Sequence, residues 1–420
     1  MMSDDRGVSD RVTRLVREGF VHDFGKAQVA PKRTPVWEKV RQTGSRLWLD
    51  TGDIDEAMKL WDSEFEALTT NNTLLNKEVQ KGIYDDLIRK AADVIRKAAP
   101  RIDERKLVIE IAFVLNGYHG LRLVERFDAH VSVELHTDLS NDVDRTVSYG
   151  KRFYALCPER FFVKVPLTSA GYVAARRLGE EGVPVNFTLG FSARQNYLAA
   201  LLSHPRYVNV FLGRLNSFVA DRKLGDGKNV GEKATLATQR QIAALRKAGR
   251  TETMLIGASM RAGFQVAALA GVDVLTMPPK VAAEYREDPG SGVSSQVETD
   301  PLVTLTPEFG FDDFNGTTLW DVPDAFKEAV DGLLGRDVDT LGPRDLETYF
   351  GGAGFGDFLP RWTPDDHQAI AKDGKIPVYE RWKGSLSSKK TGMDALMSLS
   401  GLHSFATDQK ALDDRIISLI

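Results

Sequence analysis

The stretch Leu47-Trp48-Leu49-Asp50-Thr51-Gly52-Asp53-Ile54 decides the reading of this chain. Three apolar residues closed by a carboxylate form the short continuous run expected of a strand covered on both faces. Gly52 ends it. Asp53, with Glu56 three residues on, makes a capping-box pattern, and Ile54, Met58, Trp61 and Phe65 then fall on one face of a following helix. Outward from here the same strand–helix unit recurs. Strands are expected at 67–70, 131–135, 161–165, 184–189, 207–212, 254–258 and 273–277, eight in all with the first. Amphipathic segments separate them and no two read as a hairpin, so the strands should run parallel. Eight such units point to a closed (β/α)8 barrel, the TIM-barrel architecture of the α/β class. Residues 107–127 begin like a ninth strand. Their apolar character persists for about 20 positions, too long for a strand, so a helix is expected despite Gly117 and Gly120.

The flanks differ in texture. Residues 1–45 read as an N-terminal extension, 46–285 as the barrel, 286–398 as a mixed, mainly helical element, and 399–420 as a last helix packing on the barrel. In the extension, Ser9 is placed to cap a helix with Val12, Leu15, Val16 and Phe20 on one face, a stripe for the barrel or for a second subunit. Residues 28–35, with two prolines, read as an arm. In the 286–398 element, 325–334 is the clearest helix and 351–356 is rich in glycine. Its tryptophans (Trp320, Trp362 and Trp382) and the pair Tyr349-Phe350 argue for an ordered core. The final helix is expected over 402–420.

Composition narrows the classes. The chain has 420 residues, 42% hydrophobic and 27% charged, ample for a large core. A net charge of −4, from 55 basic and 59 acidic residues, leaves no footprint for nucleic acid or an anionic membrane. No run is read as the roughly 20 apolar residues of a membrane span. Asp4, Asp5 and Asp10 break any secretory or transit composition, so a reducing, cytoplasmic location is expected. The single cysteine, Cys157, rules out an internal disulfide framework and reads as a small core hydrophobe. The histidines show no H-x-x-x-H spacing and there is no G-x-x-x-x-G-K-[ST] run, so neither a metal site nor a P-loop is indicated.

In α/β barrels the reactive groups sit at the C-terminal strand ends. The residues closing the apolar runs are Asp50, Thr70 and Asn71, Glu134, Lys164, Asn186 and Thr188, Asn209 and Arg214, and Ser259 and Arg261. Lys164 is the sharpest, inside Phe161-Phe162-Val163-Lys164-Val165-Pro166, where it has no easy route to water. Desolvation there favours the neutral amine, which can attack a ketone and form a Schiff base. The alternative is a buried structural lysine paired with Glu134 or Asp50. The two carboxylates face the same barrel mouth and suit proton transfer and water activation, or capping and a salt bridge. His136, two residues past Glu134, could tune that carboxylate or sit on the rim. Arg214 and Arg261, each following a strand and a Gly or Ser, suit a phosphate, or else surface ion pairs.

These residues resemble the transaldolase family. Leu49-Asp50-Thr51-Gly52-Asp53-Ile54 resembles its first strand, Thr69-Thr70-Asn71 its T-T-N-P motif and Val163-Lys164-Val165-Pro166 its Schiff-base strand. Asn186-Phe187-Thr188-Leu189 resembles its N-x-T-L motif. Phe211-Leu212-Gly213-Arg214 and Gly257-Ala258-Ser259-Met260-Arg261 resemble its phosphate-binding segments, and Phe405-Ala406-Thr407-Asp408-Gln409 its C-terminal helix. The resemblance covers roughly 47–285 and 400–420. It implies a cofactor-free, metal-free transferase of the pentose phosphate pathway, with sugar phosphates as substrates. Lys164 would form the Schiff base, Asp50 would handle the C4 hydroxyl proton, and Glu134 with Thr188 would hold the catalytic water. Asn71 and Asn186 would bind substrate hydroxyls, while Arg214, Ser259 and Arg261 would grip the phosphate. Phe211 stands where related fructose-6-phosphate aldolases place a tyrosine, which favours transfer over simple aldol cleavage. Asn72 replaces the usual proline, and Asn209 the usual serine at the donor's C1 end. Besides transfer, the resemblance leaves open an aldolase-like or specialised activity on another sugar, and a non-catalytic sugar-phosphate binder. Family habit suggests a homodimer, for which the stripe on 12–20 leaves room.

Overall fold

A computed structural model describes residues 3–290 and 292–420. Eight parallel strands close into a barrel in sequence order. They are β1 (Arg46–Asp50), β2 (Phe65–Thr69), β3 (His130–Glu134), β4 (Phe161–Pro166), β5 (Val185–Thr188), β6 (Tyr207–Phe211), β7 (Met254–Ala258) and β8 (Val274–Met277). β8 pairs back on β1, with Leu47 opposite Leu275. The (β/α)8 barrel read from the apolar runs is therefore the fold, and each expected run forms a strand.

Helices α1 (Ser3–Val16) and α2 (Pro35–Gln42) precede the barrel. Around it run α3 (Ile54–Leu60), α4 (Asn72–Gln80), α5 (Asp85–Ala98), α6 (Glu104–Phe127), α7 (Val143–Leu156), α8 (Ser169–Glu180) and α9 (Ala193–Leu202). The circuit continues with α10 (Leu212–Asp221), α11 (Val230–Lys247), α12 (Phe264–Ala268) and α13 (Pro279–Glu287). Beyond it come α14 (Asp324–Leu334), α15 (Pro343–Gly352), α16 (Pro364–Asp373), α17 (Tyr379–Ser387) and α18 (Met393–Ile417).

Several local expectations are corrected. α1 begins at Ser3, so Ser9 lies inside the helix rather than capping it, and Phe20 lies beyond its end. The longer helix gains Val8, buried with Val12, Leu15 and Val16, and packs on α5, α6 and α7. The apolar stripe thus packs against the body of the chain. α3 is capped by Asp53, whose side chain accepts from the Glu56 N–H at 2.9 Å. It stops at Leu60, so Trp61 and Phe65 leave the helical face and pack together at 5.9 Å, with Phe65 edge-on to Trp37 of α2.

Residues 107–127 are helical, as their length demanded, within α6. By length and composition α6 could cross a membrane, contrary to the sequence reading, yet 89% of its most apolar window is buried in the fold. The two glycines explain how it fits. A methyl group at Gly117 would come within 2.6 Å of Leu156, and one at Gly120 within 2.8 Å of Phe161, so each marks a close approach to α7 or β4. α18 starts at Met393, earlier than expected, and its first turn is anchored deep in the protein. The Arg194 guanidinium makes two 2.8 Å bonds to Asp394 and one to Asp357, and the Ser192 hydroxyl adds a 2.7 Å bond to Asp394. The helices beyond the barrel extend the main core with an aromatic group, in which Phe326, Phe350 and Phe358 pack at 4.9–5.6 Å.

Candidate active site

The bore of the barrel is built in two tiers. Its lower tier is apolar: Trp48 stacks on Phe162 at 5.9 Å, and Tyr207 meets both edge-on at 4.7 and 5.1 Å. Side chains two apart on a strand share a face. The residue two beyond each plug residue therefore points to the C-terminal mouth: Trp48 leads to Asp50, Phe162 to Lys164 and Tyr207 to Asn209. This alternation turns an aromatic plug into a polar tier within one step along each strand. A cleft of about 150 Å³ opens there, lined by Asp50, Asn71, Lys164, Asn186, Asn209 and Phe211, with Arg214, Ser259 and Arg261 at its other end. Glu134 and Thr188 are buried in the adjoining strand ends.

Lys164 lies at the centre of this tier. It is 4% exposed, its Cα is opposite Glu134 on one side and Asn186 on the other, and its Nζ donates to the Thr70 carbonyl at 3.0 Å. Burial raises the Glu134 carboxyl above the ordinary range, against the opposing pull of the Lys164 charge and the Asn72 N–H. Its Oε2 accepts from that N–H at 3.2 Å. Asn186 donates to Ser132 Oγ at 2.9 Å. Asn186 Oδ1 and Thr188 Oγ1 are buried with no protein partner. A buried polar atom left so is costly unless something else satisfies it. Asp50 accepts from Thr69 Oγ1 at 2.6 Å, and Thr69 in turn meets Thr276 at 2.8 Å.

The other end gathers groups whose chemistry suits an anion. β6 runs straight into α10, whose N-cap Phe211 offers no side-chain bond, so the helix's first N–H groups and positive dipole end face the cleft. Arg214, the third residue of α10, is 7% exposed, and its Nη1 is buried without a partner. Burial, and then Arg261 nearby, push its guanidinium down to about 10, with Asp408 opposing. The surface ion pair considered for Arg214 does not form among the described residues. Arg261 stands on the exposed lip. Ser259, just after β7, is in the left-handed region at φ +65°, a strain on the order of 1 kcal/mol. The loop after it is held by Gln265, whose Oε1 accepts from the Arg261 and Ala262 N–H groups at 2.6 and 3.1 Å and whose Nε2 donates to Glu232 at 2.7 Å. Gly213 is obligatory here, since a Cβ would collide with the Ser259 carbonyl oxygen.

Three assignments change character. Asn71 lines the cleft but also caps α4, accepting from the Leu74 N–H at 2.8 Å. Asn209 lines it too, yet its Oδ1 accepts from the Gly190 N–H at 3.1 Å and its Nδ2 donates to the Phe187 carbonyl. It braces the ends of β5 and β6, with little left for a ligand. His136 sits on the rim: Nδ1 accepts from the Asp138 N–H at 3.1 Å, and Nε2 meets Asp413 of α18 at 3.2 Å. The cleft also holds residues to which the sequence assigned no role: Thr69, Thr276, Lys375, Phe405 and Asp408. The two threonines could have been found from the same two-residue spacing. Phe405 and Asp408 lay in a segment recognised by resemblance, but nothing local placed them over the mouth. Lys375 carried no signal.

The chain matches the sequence profile of the Transaldolase/Fructose-6-phosphate aldolase family over residues 47–332. That stretch holds every strand end described above. α18 lies outside it. A protein named transaldolase from Xanthomonas euvesicatoria is 32% identical over 251 residues, 57% of this chain and 76% of its own. A transaldolase of Schizosaccharomyces pombe is 27% identical over 72% of this chain and 96% of its own length. A probable transaldolase of Dictyostelium discoideum, also 27% identical, spans 66% of this chain.

Proposed function

Because the chain belongs to the transaldolase/fructose-6-phosphate aldolase family, we propose that it moves a dihydroxyacetone unit from a ketose phosphate to an aldose phosphate through a Schiff base on Lys164. The donor is of the sedoheptulose 7-phosphate or fructose 6-phosphate type. The observation that carries this reading is a lysine 4% exposed, in register between Glu134 and Asn186, in one cleft with the unpaired Arg214.

The neutral Lys164 amine adds to the C2 carbonyl, and loss of water gives the protonated imine. Asp50 then takes the C4 hydroxyl proton as the C3–C4 bond breaks, the electron pair passing into the imine to give an enamine and a free aldose phosphate. The enamine attacks the acceptor aldehyde, which receives the proton back, and water returns to C2 to release the new ketose. Glu134 and Thr188 hold and activate that water. The unpartnered Thr188 Oγ1 and the raised carboxyl of Glu134 support this role, since a base tuned towards neutrality shuttles protons well. Asn71 and Asn186 meet the hydroxyls of the three-carbon unit. The phosphate rests on Arg214, Arg261, Ser259 and the start of α10. A dry bore keeps the enamine from water until an aldehyde arrives.

Borohydride trapping with fructose 6-phosphate tests the reading. The expected result is a mass adduct on Lys164 that erythrose 4-phosphate diminishes by drawing the enamine forward. Release of free dihydroxyacetone at the transfer rate would make the enzyme an aldolase, and absence of any Lys164 adduct refutes the mechanism.

A further inference from the structure

We propose that Asn72, through its backbone N–H, is the positioning residue that holds Glu134 as the base of this site. The proposal deepens the reading above and rests on the role given there to Glu134. Asn72 is the first residue of α4, after the cap Asn71. The first N–H groups of a helix have no partner within it. At Asn72 this spare donor is spent on Glu134 Oε2, at 3.2 Å.

The side chain of Asn72 holds the N–H in place. Its Nδ2 donates to the Leu135 carbonyl, next to Glu134, at 3.1 Å. Its Oδ1 accepts from Asn116 of α6 at 3.1 Å, and Asn116 is itself tied to the Ala112 carbonyl at 3.2 Å. Asn72 is 1% exposed, so water does not compete for these bonds. The charged groups facing Glu134 are Lys164 on β4, Asp50 on β1 and Asp408 on α18. The two carboxylates disfavour its ionised form, while Lys164 and the Asn72 N–H favour it. The Lys164 nitrogen is neutral while it attacks and positive again as the protonated imine, whereas the Asn72 N–H favours the Glu134 anion in both states.

The helix does not need that N–H for itself. Proline is favoured at the first helical position, where the missing donor costs nothing. Asn71 is extended at φ −157°, ψ 169°, the region a residue before proline prefers. Asn72→Pro therefore fits the backbone and removes the donor to Glu134. Asn72→Ala removes only the side chain.

The test compares kcat/KM against pH for the two variants and the parent. With Asn72→Pro, the limb on which activity rises as Glu134 ionises should move up by about one pH unit, a roughly tenfold loss of rate below it. With Asn72→Ala it should move much less. An unmoved limb in Asn72→Pro, or equal shifts in both variants, overturns the proposal. A measurement on the parent protein removes dependence on the variants' folding. With asparagine-specific 15N labelling, the Asn72 amide resonance should titrate with the midpoint of the limb and stop doing so in Glu134→Gln. An Asn72 amide that ignores pH is equally fatal. Failure of the parent to give a Lys164 adduct would instead sink the reading of the site. An adduct with an unmoved limb sinks Asn72 alone.

Discussion

Replacing Arg214 with methionine should stabilise the ligand-free protein while crippling its use of phosphorylated sugars. Burial first, and Arg261 second, bring this guanidinium down to about 10, well below its ordinary value. A cation whose folded value lies below its unfolded value destabilises the fold at every pH below both. At neutral pH the whole shift counts, a ceiling of about 3 kcal/mol at 1.36 kcal/mol per unit. Against this, the variant forfeits the buried contact of Arg214 with the Phe405 ring at 5.6 Å, worth about 2 kcal/mol. Methionine is flexible enough to fill most of the space, leaving a net gain of about 1 kcal/mol. An unfolding entropy of about 2.1 cal/mol/K per residue over 420 residues converts this to a rise in Tm of about 1 °C. Thermal unfolding in phosphate-free buffer reads it. Adding inorganic phosphate at ~100 times its Kd should raise the parent by about 2.7 kcal/mol, or ~3 °C, and leave the variant nearly unmoved. With fructose 6-phosphate as donor, kcat/KM should fall ~100-fold, as expected for a lost charged bond of about 3 kcal/mol. A variant that melts several degrees below the parent would refute the reasoning, because it would mean that Arg214 already has a partner in the folded chain.

Two further predictions follow from the anchors of α18. Asp394→Ala strips the buried Arg194 of the carboxylate that receives two of its bonds, so urea unfolding should show a loss of about 3–5 kcal/mol, with activity falling as Phe405 and Asp408 leave the mouth. Burial alone would raise the Asp413 carboxyl, but His136, Gln409 and Arg105 outweigh it and hold it below the ordinary range. Its stabilisation is therefore present above its unfolded value and is lost as pH falls through its folded value. Asp413→Asn should flatten the parent's loss of stability below about pH 4, measured by urea midpoints across pH.

The barrel was legible because each strand is covered on both faces, which forces short continuous apolar runs, each closed by a polar residue. The pleat made the site legible as well: once Phe162 is inside, Lys164 must be inside too. Contacts without local periodicity were not legible. Ser9 looked like a cap because Val8, one turn before Val12, was left out of the stripe. Trp61 and Phe65 kept helical spacing past the true end of α3 because their partner, Trp37, is remote in sequence. Nothing in the composition around Asn209 shows that the Gly190 N–H and the Phe187 carbonyl claim both ends of its amide. The lack of a counter-ion for Arg214 is likewise a property of the assembled mouth, where the charge it feels most is another arginine.

The placement of α18 sets an order of events during synthesis. The bore closes when β8 pairs with β1, yet Phe405 and Asp408 of the cleft are translated only after all of α14–α17. A ribosome-bound chain with a finished barrel would carry Lys164 under an unroofed mouth, more open to solvent than in the complete fold. The roof arrives with the docking of a helix whose first turn is tied to Arg194, so the mouth is completed through a salt link outside the cleft's own lining.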